Sequence, residues 1–493
     1  MEQWNNGIVD KQLVFPIFQP SIIPIFQCFF SVFSVSSVAN EFEKDMSMNF
    51  DWEKVKGEAV QILSRYLQAE TTNPPGKEMA GARILQQILE REGLATTLLE
   101  SQPERGNLIC TMKGKDSLSP LILLHHIDVV PAEADKWKHP PYSGAVVDGE
   151  IWGRGAQDCK SLGIIELMAF LLFKREGFQP RRDIVYMATA DEETGGKWGV
   201  GWLFEKHPHL MKAEYVINEG GGVGMVVGQR NVYTCQTAEK GVCWLKLTFK
   251  GKPGHASVPH TDNCIVKMAK AIERIAAYRS PLRRNLTTEL FIKGIAEEQP
   301  FPRSWFIRQL LNPLLSRRVE NRIPDPGFKG MAGAILRNTF VPTVVQGGQK
   351  TNVIPSECSC QVDCRIMPGV TPEMVKGEIH HLLFDLRDYE IEILQTSPAS
   401  ESPSDNPLYG VLDKVLKKTD PKAKMIPTML TGATDSRFFR ERGTVAYGFQ
   451  PMMPIANLSE YLSRVHGHNE RISAEDLLFG TRVLYRVIKE VCG

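Results

Sequence analysis

A chain of 493 residues is long enough for two domains with separate cores, and 42% hydrophobic with 23% charged residues is ordinary for a soluble globular protein. A formal net charge of +1, with no local basic run, removes the electrostatic case for nucleic acid or an anionic membrane surface as partner. The ten cysteines lack the dense spacing of a disulfide scaffold.

The first 45 residues differ from the rest: Leu13 to Val38 is rich in Phe, Ile and Val, and Ser37-Val38-Ala39 resembles a small-residue cleavage site. Glu2 and Asp10 outweigh Lys11 where a signal peptide wants basic residues, and Pro16, Pro20 and Pro24 interrupt the apolar run, so no stable membrane span is expected. The preferred reading is an upstream start, with a folded, cytoplasmic protein beginning near Met46 or Met48. A genuine signal peptide would instead imply secretion.

Beyond this extension, apolar spacing predicts helices over Asp51 to Gln68 and Met79 to Glu92. Pro120 to Val130 reads as a buried strand, Lys160 to Lys174 as a helix, and Asp183 to Thr189 and Glu214 to Asn218 as further buried strands. Strand-then-helix alternation implies an α/β domain with a mixed, largely parallel sheet covered by helices. From about Glu239 the texture changes. Val242 to Lys250, Val353 to Ile366 and Tyr389 to Gln395 read as strands, and Cys264 to Tyr278 and Thr371 to Leu386 as helices, while 280–345 is irregular and rich in Arg and Pro. Cys358, Cys360 and Cys364 share one face of their strand with Val362 and read as small buried hydrophobes rather than metal ligands. The expected organisation is an extension (1–45), an α/β domain in two parts (46–238 and 398–493), and a smaller α+β domain inserted at 239–397.

Acidic and imidazole side chains collect where these strands end, which is where α/β sheets carry function. They are His126 and Asp128 in His-His-Ile-Asp, Asp158 in Gly-Arg-Gly-Ala-Gln-Asp-Cys-Lys, Glu192 and Glu193 in Asp-Glu-Glu-Thr-Gly-Gly, Glu219 in Asn-Glu-Gly-Gly, and His466 in Val-His-Gly-His-Asn-Glu. Singly, each has a bland reading: a His-x-Asp triplet, a helix N-cap at Asp158, a solvated acidic loop, a turn. Together they supply the His and carboxylate mixture of a two-metal hydrolytic site. Hard oxygen donors suit two divalent cations, Zn²⁺ first, with Co²⁺ or Mn²⁺ as substitutes.

The segments LLHHIDVVP, WGRGAQDCKS, ATADEETGG, INEGG, GKPGHAS, TNVIP, GATDSR and VHGHNE, taken in order, resemble the M20 family of metallopeptidases and aminoacylases. The resemblance spans roughly residues 50 to 490 and is nearest the carboxypeptidase S and N-acyl-amino-acid hydrolase branch. It implies that Asp158 bridges two metals, with His126 and Glu219 completing one and Glu193 and His466 the other. His468 competes with His466 for that place, and Asn218 stands where some relatives have Asp. The resemblance further implies that Asp128 orients His126 and that Glu192 is the general base. His255 would stabilise the oxyanion from a lid/dimerisation domain that reaches the partner subunit of a homodimer, and Asn352 would contact oxyanion or substrate. Arg365, on the polar face of its strand, is a candidate clamp for a substrate carboxylate, and Arg437 a weaker one.

The activity this implies is release of an amino acid from an N-acyl amino acid or short peptide with a free carboxylate. The competing readings are a catalytically silent binding protein of the same fold, and a hydrolase of other specificity such as an aminopeptidase.

Overall fold

The computed structural model describes residues 50–323 and 326–493. The extension at 1–45, with the starts at Met46 and Met48, lies outside the described residues. Among the described residues no helix is long and apolar enough to cross a membrane.

The first helix, Trp52–Leu67, begins where the Asp51 side chain accepts the Lys54 amide, and it buries Val55, Ala59, Leu63, Tyr66 and Leu67. Its neighbours in the core are the helices Lys160–Arg175 and Ala474–Cys492. Lys160–Arg175 is apolar on every side, and Lys160 to Phe173 are all buried, so it forms the centre of the layer beneath the sheet.

That sheet has 11 strands among the described residues. At its centre Leu118–His126 lies parallel to both Arg182–Thr189 and Tyr215–Asn218, and Val445–Gly448 continues parallel to Tyr215–Asn218. Antiparallel strands Thr96–Gln102 and Arg105–Met112 close one side. The apolar runs seen in sequence are these central strands, covered on both faces. Three parallel strands therefore end on the same side of the sheet, delivering His126, the segment after Thr189, and Glu219 to one rim.

A second sheet has the order Thr339–Gly347, Glu357–Ile366, Gly241–Lys250, Tyr389–Ser397, with every pair antiparallel. The helices Cys264–Ala277 and Pro372–Leu382 cover one face and share a separate core with it. Cys358, Cys360, Val362, Cys364 and Ile366 point into that core, as the alternation predicted. The chain leaves the first sheet at Lys240 and rejoins it at Ser400–Glu401, which pairs with Arg230–Glu239.

Two expectations are corrected. Residues 280–345 are not irregular: they hold the helices Leu286–Glu297, Arg303–Arg308, Ser316–Glu320 and Pro326–Ile335, and most of the strand Thr339–Gly347. Asn285 and Thr288 cap the first of these reciprocally, and Pro302 and Pro326 stand at helix starts, where a missing N–H does no harm. Val353 to Ile366 is not one strand either, because Pro355, lacking a donor, separates Val353–Ile354 from Glu357–Ile366.

Gly163 marks where the central helix presses on the sheet. A β-carbon there would lie 2.3 Å from His125 Nε2. Gly163→Ala is expected to destabilise the fold by about 1–3 kcal/mol through overpacking. A shift of the denaturation midpoint measures it, and an unchanged midpoint would show that His125 yields freely.

Candidate metal centre

His126 is the last residue of the strand Leu118–His126, and its side chain is 1% exposed. Its Nδ1 donates to the main-chain oxygen of Asp128 at 2.9 Å, which turns Nε2 toward Asp158 Oδ1 at 3.0 Å and Glu219 Oε2 at 3.7 Å. The other Asp158 oxygen, Oδ2, lies 3.1 Å from His466 Nε2, and Glu193 Oε2 lies 3.2 Å from the same nitrogen. One carboxylate thus faces two imidazoles, one through each oxygen. The five residues His126, Asp158, Glu193, Glu219 and His466 are brought together from five separate segments.

The other two sequence candidates at this rim also converge. Glu192 and Glu193 form a short turn after the buried strand Arg182–Thr189. Asp191, at φ +71°, directs its own carboxylate away, onto Arg105 at 2.6 Å and the Trp198 amide at 2.9 Å. That separates the three adjacent acids. Asp128 is placed beside His126 as expected, its carboxylate 3.6 Å from His126 Nδ1, and it also accepts the amides of Glu192 and Glu193 at 3.1 Å each and Asn73 Nδ2 at 2.8 Å. The main chain of Asp128 orients His126, while its side chain fixes the turn that carries Glu192.

The competition between two histidines has a geometric outcome. His466 joins the carboxylates, whereas His468 reaches Glu133 at 2.9 Å. Asn218 donates to Ser436 Oγ at 3.1 Å and leaves Glu219 as the acid of its pair. Cys159 also lies in the group, but burial keeps its thiol protonated, and Sγ donates weakly to the His126 carbonyl at 3.8 Å.

His255 and Asn352 sit together elsewhere. His255 pairs with Val353 in a two-stranded ribbon, the Asn352 carbonyl accepts the Ala256 amide at 3.0 Å, and both side chains are exposed. Arg365 lies in the second sheet with its Nε 3.0 Å from Asp363 Oδ1. Arg437 is buried and donates to the carbonyls of Thr434 and Gly195, tying that wall to the acidic turn. The motif reading left Asn73 and Arg105 unnamed. Their segments carry no periodic or metal-like spacing, so only the fold reveals that they hold Asp128 and Asp191.

Electrostatics argue that this site fits cations. The ion pairs of Asp158, Glu193 and Glu219 are with imidazoles, and Glu193 Oε1 is buried without a hydrogen-bond partner. Burial pushes Glu219 up to about 7, and burial with the neighbouring Glu219 charge pushes Glu192 well above the carboxylate range. Burial also disfavours ionised Asp158, but hydrogen bonds from His126 and His466 outweigh it and hold its pKa below the usual range. His466 is raised to about 10 by its hydrogen bonds to Asp158 and Glu193. Such crowding favours added positive charge, and two divalent ions would supply it, with one imidazole and two carboxylates for each.

Fold and donor set together define a metallohydrolase class, and the sequence pattern of peptidase family M20/M25/M40 matches residues 122–490. The chain belongs to that family. It is similar to the N-fatty-acyl-amino acid synthase/hydrolase PM20D1 of Xenopus tropicalis, at 33% identity over 376 residues, 74% of this chain and 71% of that protein. The M20 family metallo-carboxypeptidase Sso-CP2 from Sulfolobus solfataricus superposes with a TM-score of 0.67 at 17% identity, over 88% of this chain and 98% of its own. YXEP of Bacillus subtilis, a dinuclear metal binding peptidase from the M20 family, superposes with a TM-score of 0.58 at 11% identity, over 89% and 99%. The two superpositions show a shared fold. As a family member the chain is a hydrolase of peptide or other linear amide bonds.

Because a ligating imidazole must be neutral, and hydrogen bonds to Asp158 and Glu193 raise His466 to about 10, cation uptake at about pH 7 should displace protons from the cluster and affinity should rise with pH. Calorimetric titration in two buffers of different ionisation enthalpy should show net proton release, and no release would contradict the assignment. His466→Ala should lose one of two bound cations by metal analysis, and His468→Ala neither.

Proposed function

We propose that this chain holds two divalent cations, Zn²⁺ first among them, and releases an amino acid from an N-acyl amino acid or short peptide that ends in a free carboxylate. The observation that carries the reading is the Asp158 carboxylate, with one oxygen toward His126 and the other toward His466. When bound, the two cations supply a polarised carbonyl and a more acidic attacking water.

Glu192 is the base of this reading. Its amide is pinned to Asp128 at 3.1 Å, its side chain is half-buried beside the ligand group, and burial with the neighbouring carboxylates favours its taking a proton. It accepts the proton of the attacking water and returns it to the leaving nitrogen, a contribution of roughly 10²–10⁴ in rate. Arg365, pre-oriented by Asp363, offers a planar fork to the substrate carboxylate. His255 and Asn352, side by side on an exposed ribbon, supply donors to the oxyanion from across a two-fold dimer.

Glu192→Gln is expected to fold and bind cations as the parent does while losing turnover. Near-normal activity would remove the base assignment. Assay of N-acyl amino acids, dipeptides and their C-terminal amides, with and without chelator, should show cleavage only of the free acids and only without chelator. Cleavage of amides at equal rate would remove the carboxylate requirement. If His255 acts across a dimer, co-refolding inactive His255→Ala with inactive Glu192→Gln should restore activity, because a mixed dimer has one complete site. No recovery in proven heterodimers would remove the cross-dimer placement of His255.

A further inference from the structure

Glu470, wholly buried, accepts four hydrogen bonds: from the amides of Gly155 at 3.0 Å, Gln157 at 2.6 Å and Asp158 at 3.0 Å, and from Arg154 Nη1 at 2.8 Å. Arg154, 2% exposed, turns Nη2 onto the carbonyls of Gly467 at 2.9 Å, His466 at 3.2 Å and Pro131 at 3.5 Å, and its guanidinium lies 5.3 Å from the centre of the Trp137 ring. One buried ion pair therefore grips the main chain of Asp158 on one side and that of His466 on the other.

The two imidazoles of the site depend on this pair unequally. His126 belongs to an interior strand and has its own tether, Nδ1 on the Asp128 carbonyl. His466 follows the short helix Leu458–Arg464 in an irregular segment, at φ +58°, with half of its side chain exposed. Its ring contacts only Asp158 and Glu193 among the ion pairs found, so its placement relies on where the main chain is anchored.

We propose that Arg154 and Glu470 are positioning residues: their ion pair sets the separation of Asp158 and His466, and with it the affinity of the cation site these two share with Glu193. The proposal rests on the two-cation reading above. Glutamine at 470 keeps the shape but offers one acceptor where two carboxylate oxygens serve three amides and a guanidinium. It also leaves Arg154 buried without a counter-charge, which is costly in itself. Pairing it with Arg154→Met removes that stranded charge while leaving the tether broken.

The test is equilibrium dialysis against Zn²⁺, with thermal melts of the cation-free protein. It compares the parent chain, Glu470→Gln, the Arg154→Met/Glu470→Gln double variant, and Glu320→Gln, which breaks a buried ion pair with Arg337 away from the site, as a control. The parent and the control should take two cations. Glu470→Gln and the double variant should each retain one at parental affinity and bind the other about 10- to 100-fold more weakly, the usual effect of removing a partner that orients a ligand. The double variant should melt nearer the parent than the single one does and still show the weakened site. Equal weakening of both cations in either variant, or parental affinity at both, overturns the proposal. Should the parent itself take fewer than two, the two-cation reading fails instead.

Discussion

Carboxylates crowded into a space that water barely reaches repel one another, and the rim of the large sheet is arranged around that repulsion. Asp158, Glu193 and Glu219 face each other at the ends of strands that could equally have ended in neutral turns. The strong cations nearby are kept one layer back: Arg105 is occupied by Asp191, and Arg154 by Glu470. Had either guanidinium reached the inner acids, the group would be a satisfied ion-pair network. With imidazoles as the inner partners, the acids retain capacity for divalent ions, and the buried, unpartnered Glu193 Oε1 is the local sign of it.

The topology explains why the arrangement holds. Parallel pairing of Leu118–His126 with Arg182–Thr189 and Tyr215–Asn218 brings three carboxyl ends into line, so His126, the acidic turn and Glu219 need no long loops to meet. The central helix Lys160–Arg175 follows directly on Asp158 and is packed too tightly to drift. His466 comes from an irregular segment after a short helix, and its main-chain carbonyl is held by Arg154.

Much of this was legible from residues alone. The strand ends at Thr189 and Asn218, the buried helix and the alternation of the Cys358 to Ile366 strand follow from period and composition, whereas the strand expected to run to Val130 stops at His126. The five clustered side chains were marked by motif, and family resemblance supplied their grouping. What sequence did not reveal depends on distance in the chain. Asn73 lies 55 positions from the Asp128 it holds, and Arg154 lies 316 from Glu470. No local pattern encodes such partners. The four helices within 280–345 were hidden for another reason: their prolines sit at helix starts, where a proline marks a beginning and was read as a break.

His466 and Glu470 come late in the chain, just before the strand Arg471–Ser473 and the helix Ala474–Cys492, which packs against Lys160–Arg175 in the main core. During synthesis the chain emerges amino end first, so His126, Asp158, Glu193 and Glu219 are translated long before their last companion exists. Four of the five clustered side chains can therefore meet early, and the cluster is complete only once the segment that carries His466 has docked.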